Sequence, residues 1–167
     1  MKEEKQPKLT KRGKGATIPS LYDPCGLMMP FITERKIILQ KAWCYRNDKN
    51  ESLDWDHPLP PEIREEFGKW LEKLPNVSSI THERYIFNDA KTPLLPEELF
   101  LHIFCDAGDS AFGIAAYIRY KSEGGYKSHL IFSSSKMAPT KNKLSITKKE
   151  LNAILLGCLK GEYLGKI

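Results

Sequence analysis

Two acidic residues stand where they could share a divalent cation. Asp106 follows the apolar segment Leu99 to Cys105, which is typical of a β-strand, and Glu150 comes later, in the first turn of a predicted helix. Hard cations such as Mg²⁺ and Mn²⁺ prefer anionic oxygen ligands, and a metal held by carboxylates can activate water against a phosphodiester. The pair therefore predicts part of a metal-dependent nuclease site, with Asp106 and Glu150 as catalytic residues and metal ligands.

Each carboxylate also has a structural interpretation. Asp106 could be a turn residue whose side chain bonds nearby backbone amides. The sequence Thr147-Lys148-Lys149-Glu150 fits a capping box, in which the Thr hydroxyl and the Glu carboxylate satisfy N–H groups at the start of a helix. Asp109, in a tight polar turn, is predicted to be a solvated loop residue rather than a third ligand. The local sequence leaves both interpretations of Asp106 and Glu150 open.

Basic residues suggest a phosphate-bearing partner. The chain has 26 Lys and Arg against 21 Asp and Glu, a formal charge of +5, and much of this excess lies in residues 1–20. Lysine side chains neutralise phosphates and release counterions. A solvated loop would explain the lysines near the predicted site nearly as well. The candidate nucleic-acid contacts are Lys136, Lys141, Lys143, Lys148 and Lys149.

Several classes of protein are disfavoured. The four cysteines are far apart in the sequence and lack the spacing of a structural zinc site. Three of them have apolar neighbours in the sequence, where a thiol usually behaves as a small buried hydrophobic group, and this suits a reducing compartment. The N-terminal residues lack the apolar stretch that a secretory signal contains, and no segment has the roughly 18 apolar residues that a membrane span needs. We therefore expect an intracellular protein, cytoplasmic or nuclear, that is neither secreted nor bound to a membrane.

The first part of the chain predicts helices. Residues 1–20 are polar and Lys-rich, which predicts a disordered basic tail. Apolar periodicity predicts a helix from Pro30 to about Tyr45 and another from Pro61 that Pro75 ends. Residues 76–98 are predicted to be irregular, with a possible short strand at 84–87. The Pro-rich end of this linker is the predicted boundary, so that residues 21–98 form a helical connection region.

Residues 99–167 predict a sheet and a helix. Strands are expected at 99–105, 112–120 and 126–132, joined by short turns into a three-strand antiparallel meander. The Ser- and Lys-rich residues 133–143 predict a loop, and helical periodicity returns at 147–160. The predicted fold class is α/β (α+β), with one main core.

Several blocks of this sequence, in this order, resemble the Pol polyprotein of BEL/Pao-type LTR retrotransposons. The first half is similar to the region after the reverse-transcriptase palm, and the second half to the start of the RNase H-like domain. The blocks are Leu9–Arg12, Tyr22–Pro30, Lys36–Trp43, Leu53–Asp56, His102–Ala107, Ala111–Gly113, Ser135–Pro139 and Ile146–Leu151.

The resemblance implies roles for the two carboxylates. Asp106 and Glu150 match the first two acidic ligands of the RNase H site, which implies Mg²⁺ or Mn²⁺ as cofactor and an RNA–DNA hybrid as partner. The family's site uses further Asp residues from a later strand and a later helix. We therefore expect a Pol fragment with an incomplete RNase H-like fold, whose metal site is weak or absent in the isolated chain and whose partner is the rest of the polyprotein.

Two other functions remain open at this stage. The chain could be a non-catalytic nucleic-acid-binding or interaction module derived from a retroelement, which would use its basic residues on phosphates. An unrelated structural protein with a capped helix would require the matching blocks to be coincidence.

Overall fold

A computed structural model of the chain describes residues 10–13, 22–83, 85–88, 94–140 and 144–166. The chain divides into two compact units. One comprises Met1–Asp23 and Pro30–Ile80, and the other comprises Pro24–Met29 and Thr81–Ile167. Among the described residues, no helix has the length and apolar character needed to cross a membrane.

The first unit contains α1 (Met29–Cys44), α2 (Pro61–Glu72) and the short α3 (Leu74–Ser78). The two predicted long helices are therefore confirmed. The prediction for Pro75 is wrong, since α2 already ends at Glu72 and Pro75 lies in the first turn of α3. Proline is well tolerated there because its missing N–H would have no helical partner in any case.

Trp70 occupies the centre of the helical unit and is 1% exposed. Its ring stacks on Phe31 at 4.4 Å and on Phe67 at 5.5 Å, and its Nε1 donates a hydrogen bond to the Phe31 carbonyl at 2.9 Å. The guanidinium of buried Arg35 lies over the Phe67 and Trp70 rings. Burial lowers the pKa of Arg35 to about 10, so the group stays charged at neutral pH and gains cation–π contacts.

Residues 10–13 belong to this unit, which corrects the prediction of disorder for these four residues. Thr10 and Lys11 are buried, Thr10 pairs with Pro58, and the Arg12 N–H donates to the Trp55 carbonyl at 3.1 Å. The Lys11 Nζ donates to a backbone carbonyl at 2.7 Å. These long-range hydrogen bonds offset the conformational entropy that the four residues lose when they become ordered. The polar composition alone had predicted that this loss would keep them disordered. The rest of the predicted tail lies outside the described residues.

The second unit contains the predicted meander. Its strands are β1 (Leu99–Ala107), β2 (Ala111–Ser122) and β3 (Gly125–Met137), in the order β1-β2-β3 with antiparallel neighbours. The prediction of a loop beginning at Ser133 is wrong, because β3 remains paired with β2 as far as Met137. Backbone pairing in the sheet overrides the low strand propensity of this Ser- and Lys-rich stretch.

A segment before α1 covers part of the outer edge of β3. In this strap, defined as Pro24–Met29 with Met29 also the first residue of α1, the Cys25 carbonyl accepts a hydrogen bond from the Ser133 N–H at 2.7 Å. The Gly26 carbonyl accepts a second bond from the Ser133 hydroxyl at 2.6 Å. An edge strand presents unpaired backbone N–H and C=O groups. The strap provides a hydrogen-bond acceptor for one of them, the Ser133 N–H.

The last helix, α4 (Ile146–Leu164), packs on β1 and β2 through small residues. Ala153 is fully buried, and a Cβ added at Gly157 would lie 3.3 Å from the Cys105 sulfur. A Cβ at Gly161 would lie 3.2 Å from the Ile103 side chain. The absence of side-chain atoms at these glycines lets the helix backbone approach the sheet closely.

The short strand predicted at residues 84–87 is not found among its described residues. Ile86–Asn88 form a turn, and the Ile86 carbonyl accepts a hydrogen bond from the Tyr120 hydroxyl at 2.6 Å. The preceding Arg84 lies outside the described residues. Burial raises the pKa of Tyr120, whose side chain is 1% exposed. The Ile86 carbonyl is therefore hydrogen-bonded to a side chain and not to a neighbouring strand.

Candidate functional site

Asp106 lies within β1, opposite Gly113 of β2, and its side chain is exposed. Ile103 and Cys105 of the same strand contact α4, so strand alternation directs Asp106 to the opposite face of the sheet. Its carboxylate has no hydrogen-bond or ion-pair partner among the described residues. The alternative role as a turn residue is therefore not supported. The backbone of Asp106 is paired within β1, and its carboxylate forms no hydrogen bond with a described backbone amide.

Glu150 is exposed in the first part of α4. The N-cap of this helix is Ser145, whose hydroxyl accepts a hydrogen bond from the Lys148 N–H at 3.4 Å. The capping-box interpretation of Thr147 and Glu150 is therefore wrong, because the helix begins at Ile146, two residues earlier than a helix with Thr147 as its N-cap would. The Glu150 carboxylate, like that of Asp106, has no partner in the described part of the chain.

Replacing Ser145 tests this assignment. We expect Ser145→Ala to lower the free energy of unfolding by about 1 kcal/mol, because the helix loses its N-cap hydroxyl. The matched variant Thr147→Ala should change it by less than about 0.5 kcal/mol. Urea unfolding followed by circular dichroism measures both values. The opposite order of effects would restore Thr147 as the cap and Glu150 as its partner.

An ion pair brings the elements of the two carboxylates together. The Lys149 ammonium contacts the Asp109 carboxylate at 2.5 Å, and the Lys149 side chain is 17% exposed while that of Asp109 is 98% exposed. The hydrogen bond and the charge of Lys149 lower the pKa of Asp109. The bond holds the beginning of α4 against the turn between β1 and β2. The segments that carry Asp106 and Glu150 therefore meet at one end of the sheet.

Asp109 itself is less suited to bind a metal than the other two acids. It was predicted to be a solvated loop residue, and its side chain is indeed almost fully exposed, but its carboxylate is bound to Lys149. A cation that used Asp109 as a ligand would have to compete with this ammonium. No local pattern predicts this pair, since the two residues are 40 positions apart.

The five candidate lysines have different surroundings. Lys136 is exposed in β3, opposite Phe112, and Lys148 is exposed in α4. The Lys149 side chain is mostly buried and its ammonium is paired with Asp109, which leaves it less accessible to a phosphate. Lys141 and Lys143 lie outside the described residues. Nucleic-acid binding by this group stays a prediction.

The donor set suits one hard cation. Two carboxylates with waters are a common way to hold Mg²⁺, and the free oxygens of Asp106 and Glu150 are donors of this kind. The described residues contain no group of three or more His, Cys, Asp or Glu side chains that could hold a metal. All four cysteines carry free thiols and are exposed. The roles of Asp106 and Glu150 as metal ligands remain predictions.

Comparison with known proteins identifies the family. The model of the family described as "Pao retrotransposon-like RNaseH-like domain" matches residues 10–166. Searches of curated proteins and of solved structures gave no match. The matched range covers both structural units, and the mixture of helices with a three-strand antiparallel sheet agrees with the expected incomplete RNase H-like fold. The chain therefore belongs to the Pao retrotransposon-like RNaseH-like domain family, which confirms the resemblance to a BEL/Pao-type retrotransposon Pol region.

Proposed function

We propose that this chain supplies two metal-binding carboxylates, Asp106 and Glu150, to an RNase H-type site that hydrolyses the RNA strand of an RNA–DNA hybrid. One observation carries the proposal. Both side chains are exposed and have no partner among the described residues, and the Asp109–Lys149 ion pair brings their elements to the same end of the sheet. Because strand alternation directs Asp106 away from the face that α4 covers, a shared cation would have to bind at this end of the sheet, between the two faces. The family supports a retroelement Pol fragment as the context of this site.

The chemistry follows from the charges of these residues. A bound Mg²⁺ or Mn²⁺ would lower the pKa of water and polarise the phosphodiester. Asp106 and Glu150 would hold that cation through their carboxylate oxygens, which are the donors that hard cations prefer. The Asp109–Lys149 pair would keep α4 in position, and exposed Lys136 and Lys148 are available to contact phosphates.

Two carboxylates do not complete a two-metal site. Two divalent ions carry four positive charges, whereas Asp106 and Glu150 offer two negative charges, and hydrolysis by two metals requires both ions in fixed positions. We propose that further acidic ligands come from another segment of the Pol polyprotein. The isolated chain would then bind one cation weakly and have little or no nuclease activity.

Metal binding by charge-neutral variants tests the site. We expect Asp106→Asn and Glu150→Gln each to weaken Mn²⁺ binding by about tenfold or more, because each removes an anionic ligand. Their free energies of unfolding should stay within about 0.5 kcal/mol of the parent protein, since neither side chain has a described partner. Electron paramagnetic resonance of Mn²⁺ and urea unfolding measure the two quantities.

A matched control comes from the other end of the sheet. Glu123 is exposed in the turn between β2 and β3, and Glu123→Gln should leave Mn²⁺ affinity unchanged. Equal affinities in all three variants and the parent protein would exclude the proposed site. A loss of stability in Asp106→Asn would instead assign that carboxylate a structural role.

A second function, binding without cleavage, is favoured by the net charge of +5 and by the exposed lysines. Under this alternative the chain would hold an RNA–DNA hybrid through its phosphates. Incubation of a labelled hybrid with the chain and Mn²⁺ distinguishes the two. Binding that Mn²⁺ strengthens and that Asp106→Asn weakens supports the metal site of the nuclease, whereas salt-sensitive binding that neither Mn²⁺ nor Asp106→Asn changes supports the binding module.

A further inference from the structure

The Lys149 ammonium lies among the acidic residues of the candidate site. Lys149 precedes Glu150 directly in the sequence, and its ammonium contacts the carboxylate of Asp109 at 2.5 Å. Asp109 in turn follows Asp106 closely, and consecutive Cα atoms are about 3.8 Å apart, so the backbones of these two acids lie within about 12 Å of each other. A fixed positive charge this close to two proposed metal ligands opposes the binding of a divalent cation.

A cavity borders the ion pair. Its volume is about 360 Å³, and its described lining residues are Asp109, Lys149, Ala138, Pro139 and Leu144. A water molecule takes up about 30 Å³ in the liquid, so the cavity has room for a cation with several of its waters. Mg²⁺ usually keeps several waters when carboxylates bind it. The Lys149 ammonium, and not a lack of space, therefore separates the Asp109 carboxylate from a role as a metal ligand.

The packing of α4 is secured at other points as well as by this ion pair. Ala153 is fully buried, and Gly157 brings the helix backbone close to the Cys105 side chain. The Asp109 side chain is 98% exposed, and an ion pair with an exposed partner contributes little to stability. Loss of the ion pair should therefore leave the fold intact while it changes the charge at the candidate site.

We propose that Lys149 is a built-in competitor of divalent cations, which neutralises Asp109 and so limits the metal affinity of the Asp106–Glu150 site. Without the lysine, the freed Asp109 carboxylate becomes a third anionic ligand for the same cation. The number of charged ligands tunes the affinity of a carboxylate site for a hard cation, and three carboxylates bind it more tightly than two. This inference rests on the proposed metal site and adds the residue that sets its affinity.

Mn²⁺ titration of the full chain, followed by electron paramagnetic resonance, tests the role of Lys149. We expect Lys149→Met to raise the affinity for Mn²⁺ by roughly tenfold, because it removes the competing charge and frees Asp109. Lys149→Gln, which is also neutral, should give the same rise. Adding Asp109→Asn to Lys149→Met should return the affinity to the parent value or below it.

The matched control is Lys148→Met. Lys148 is exposed and carries the same charge one position away, but no described carboxylate contacts its ammonium. Because salt screens an exposed charge, this variant should raise the affinity for Mn²⁺ by no more than about twofold. Circular dichroism should show the same helix content in every variant.

Three results would overturn the inference. Equal rises in Lys149→Met and Lys148→Met would show a general effect of charge. A fall in affinity in both Lys149→Met and Lys149→Gln would show that the lysine positions Glu150 instead. A rise that Asp109→Asn does not remove would exclude Asp109 as the third ligand. All three leave the proposed metal site intact, whereas an Asp106→Asn variant that binds Mn²⁺ as tightly as the parent protein would refute that site itself.

Discussion

Trp70→Ala is expected to lower the free energy of unfolding by about 3 to 5 kcal/mol, the usual range for the loss of a large buried aromatic side chain. Trp70 is 1% exposed and stacks on Phe31 and Phe67. The substitution also leaves the Phe31 carbonyl without the indole N–H that it accepts, and it removes the ring beneath the Arg35 guanidinium. A cavity, an unsatisfied carbonyl and a less well-packed buried charge would therefore arise together.

Small domains are stable by only about 5 to 15 kcal/mol, so this variant should lose much of the helical unit's stability. Urea unfolding followed by far-ultraviolet circular dichroism measures the effect. Trp43→Ala is the matched control because Trp43 is 58% exposed, and we expect a change below about 1 kcal/mol. A loss of similar size in the two variants would mean that Trp70 is not at the centre of the core.

Gly26→Ala is expected to release the strap from β3 and to lower the free energy of unfolding by about 3 kcal/mol. Gly26 has a φ of +76°, where a residue with a Cβ is disfavoured by about 1 to 2 kcal/mol. A Cβ there would also lie 1.9 Å from the Ser133 carbonyl oxygen and 2.6 Å from its carbon. Both are backbone atoms of a paired strand and cannot move aside as a flexible side chain would.

Hydrogen exchange at the Ser133 amide reports the strap directly. This N–H donates to the Cys25 carbonyl in the parent protein, so we expect slow exchange there and fast exchange in Gly26→Ala. Gly68→Ala is the control, because Gly68 lies within α2 and has nothing within 4 Å of an added Cβ. That variant should gain up to about 1 kcal/mol from helix propensity. Unchanged protection at Ser133 in Gly26→Ala would contradict the role of the strap.

The main elements could be predicted from local patterns. Apolar periodicity and proline positions predicted α1, α2 and α4, and alternating apolar segments with a Gly-Gly turn predicted the meander. These patterns are local, since each extends over a few helical turns or one hairpin. The predictions that were wrong concern residues whose structure depends on contacts with distant segments. Ser133–Met137 has poor strand propensity but is held in β3 by pairing with β2, and Thr10, in the predicted tail, is buried and forms a β-bridge with Pro58.

The sequence by itself determined the family and the two candidate carboxylates, since both depend on residue identity and order along the chain. Tertiary structure decided what those carboxylates are free to do. It placed the N-cap at Ser145, which frees Glu150 from a capping role, and it paired Asp109 with Lys149 across 40 positions. It also used Cys25 and Gly26 to cover the edge of β3. Contacts between residues so far apart depend on how the elements pack, and no local pattern specifies them.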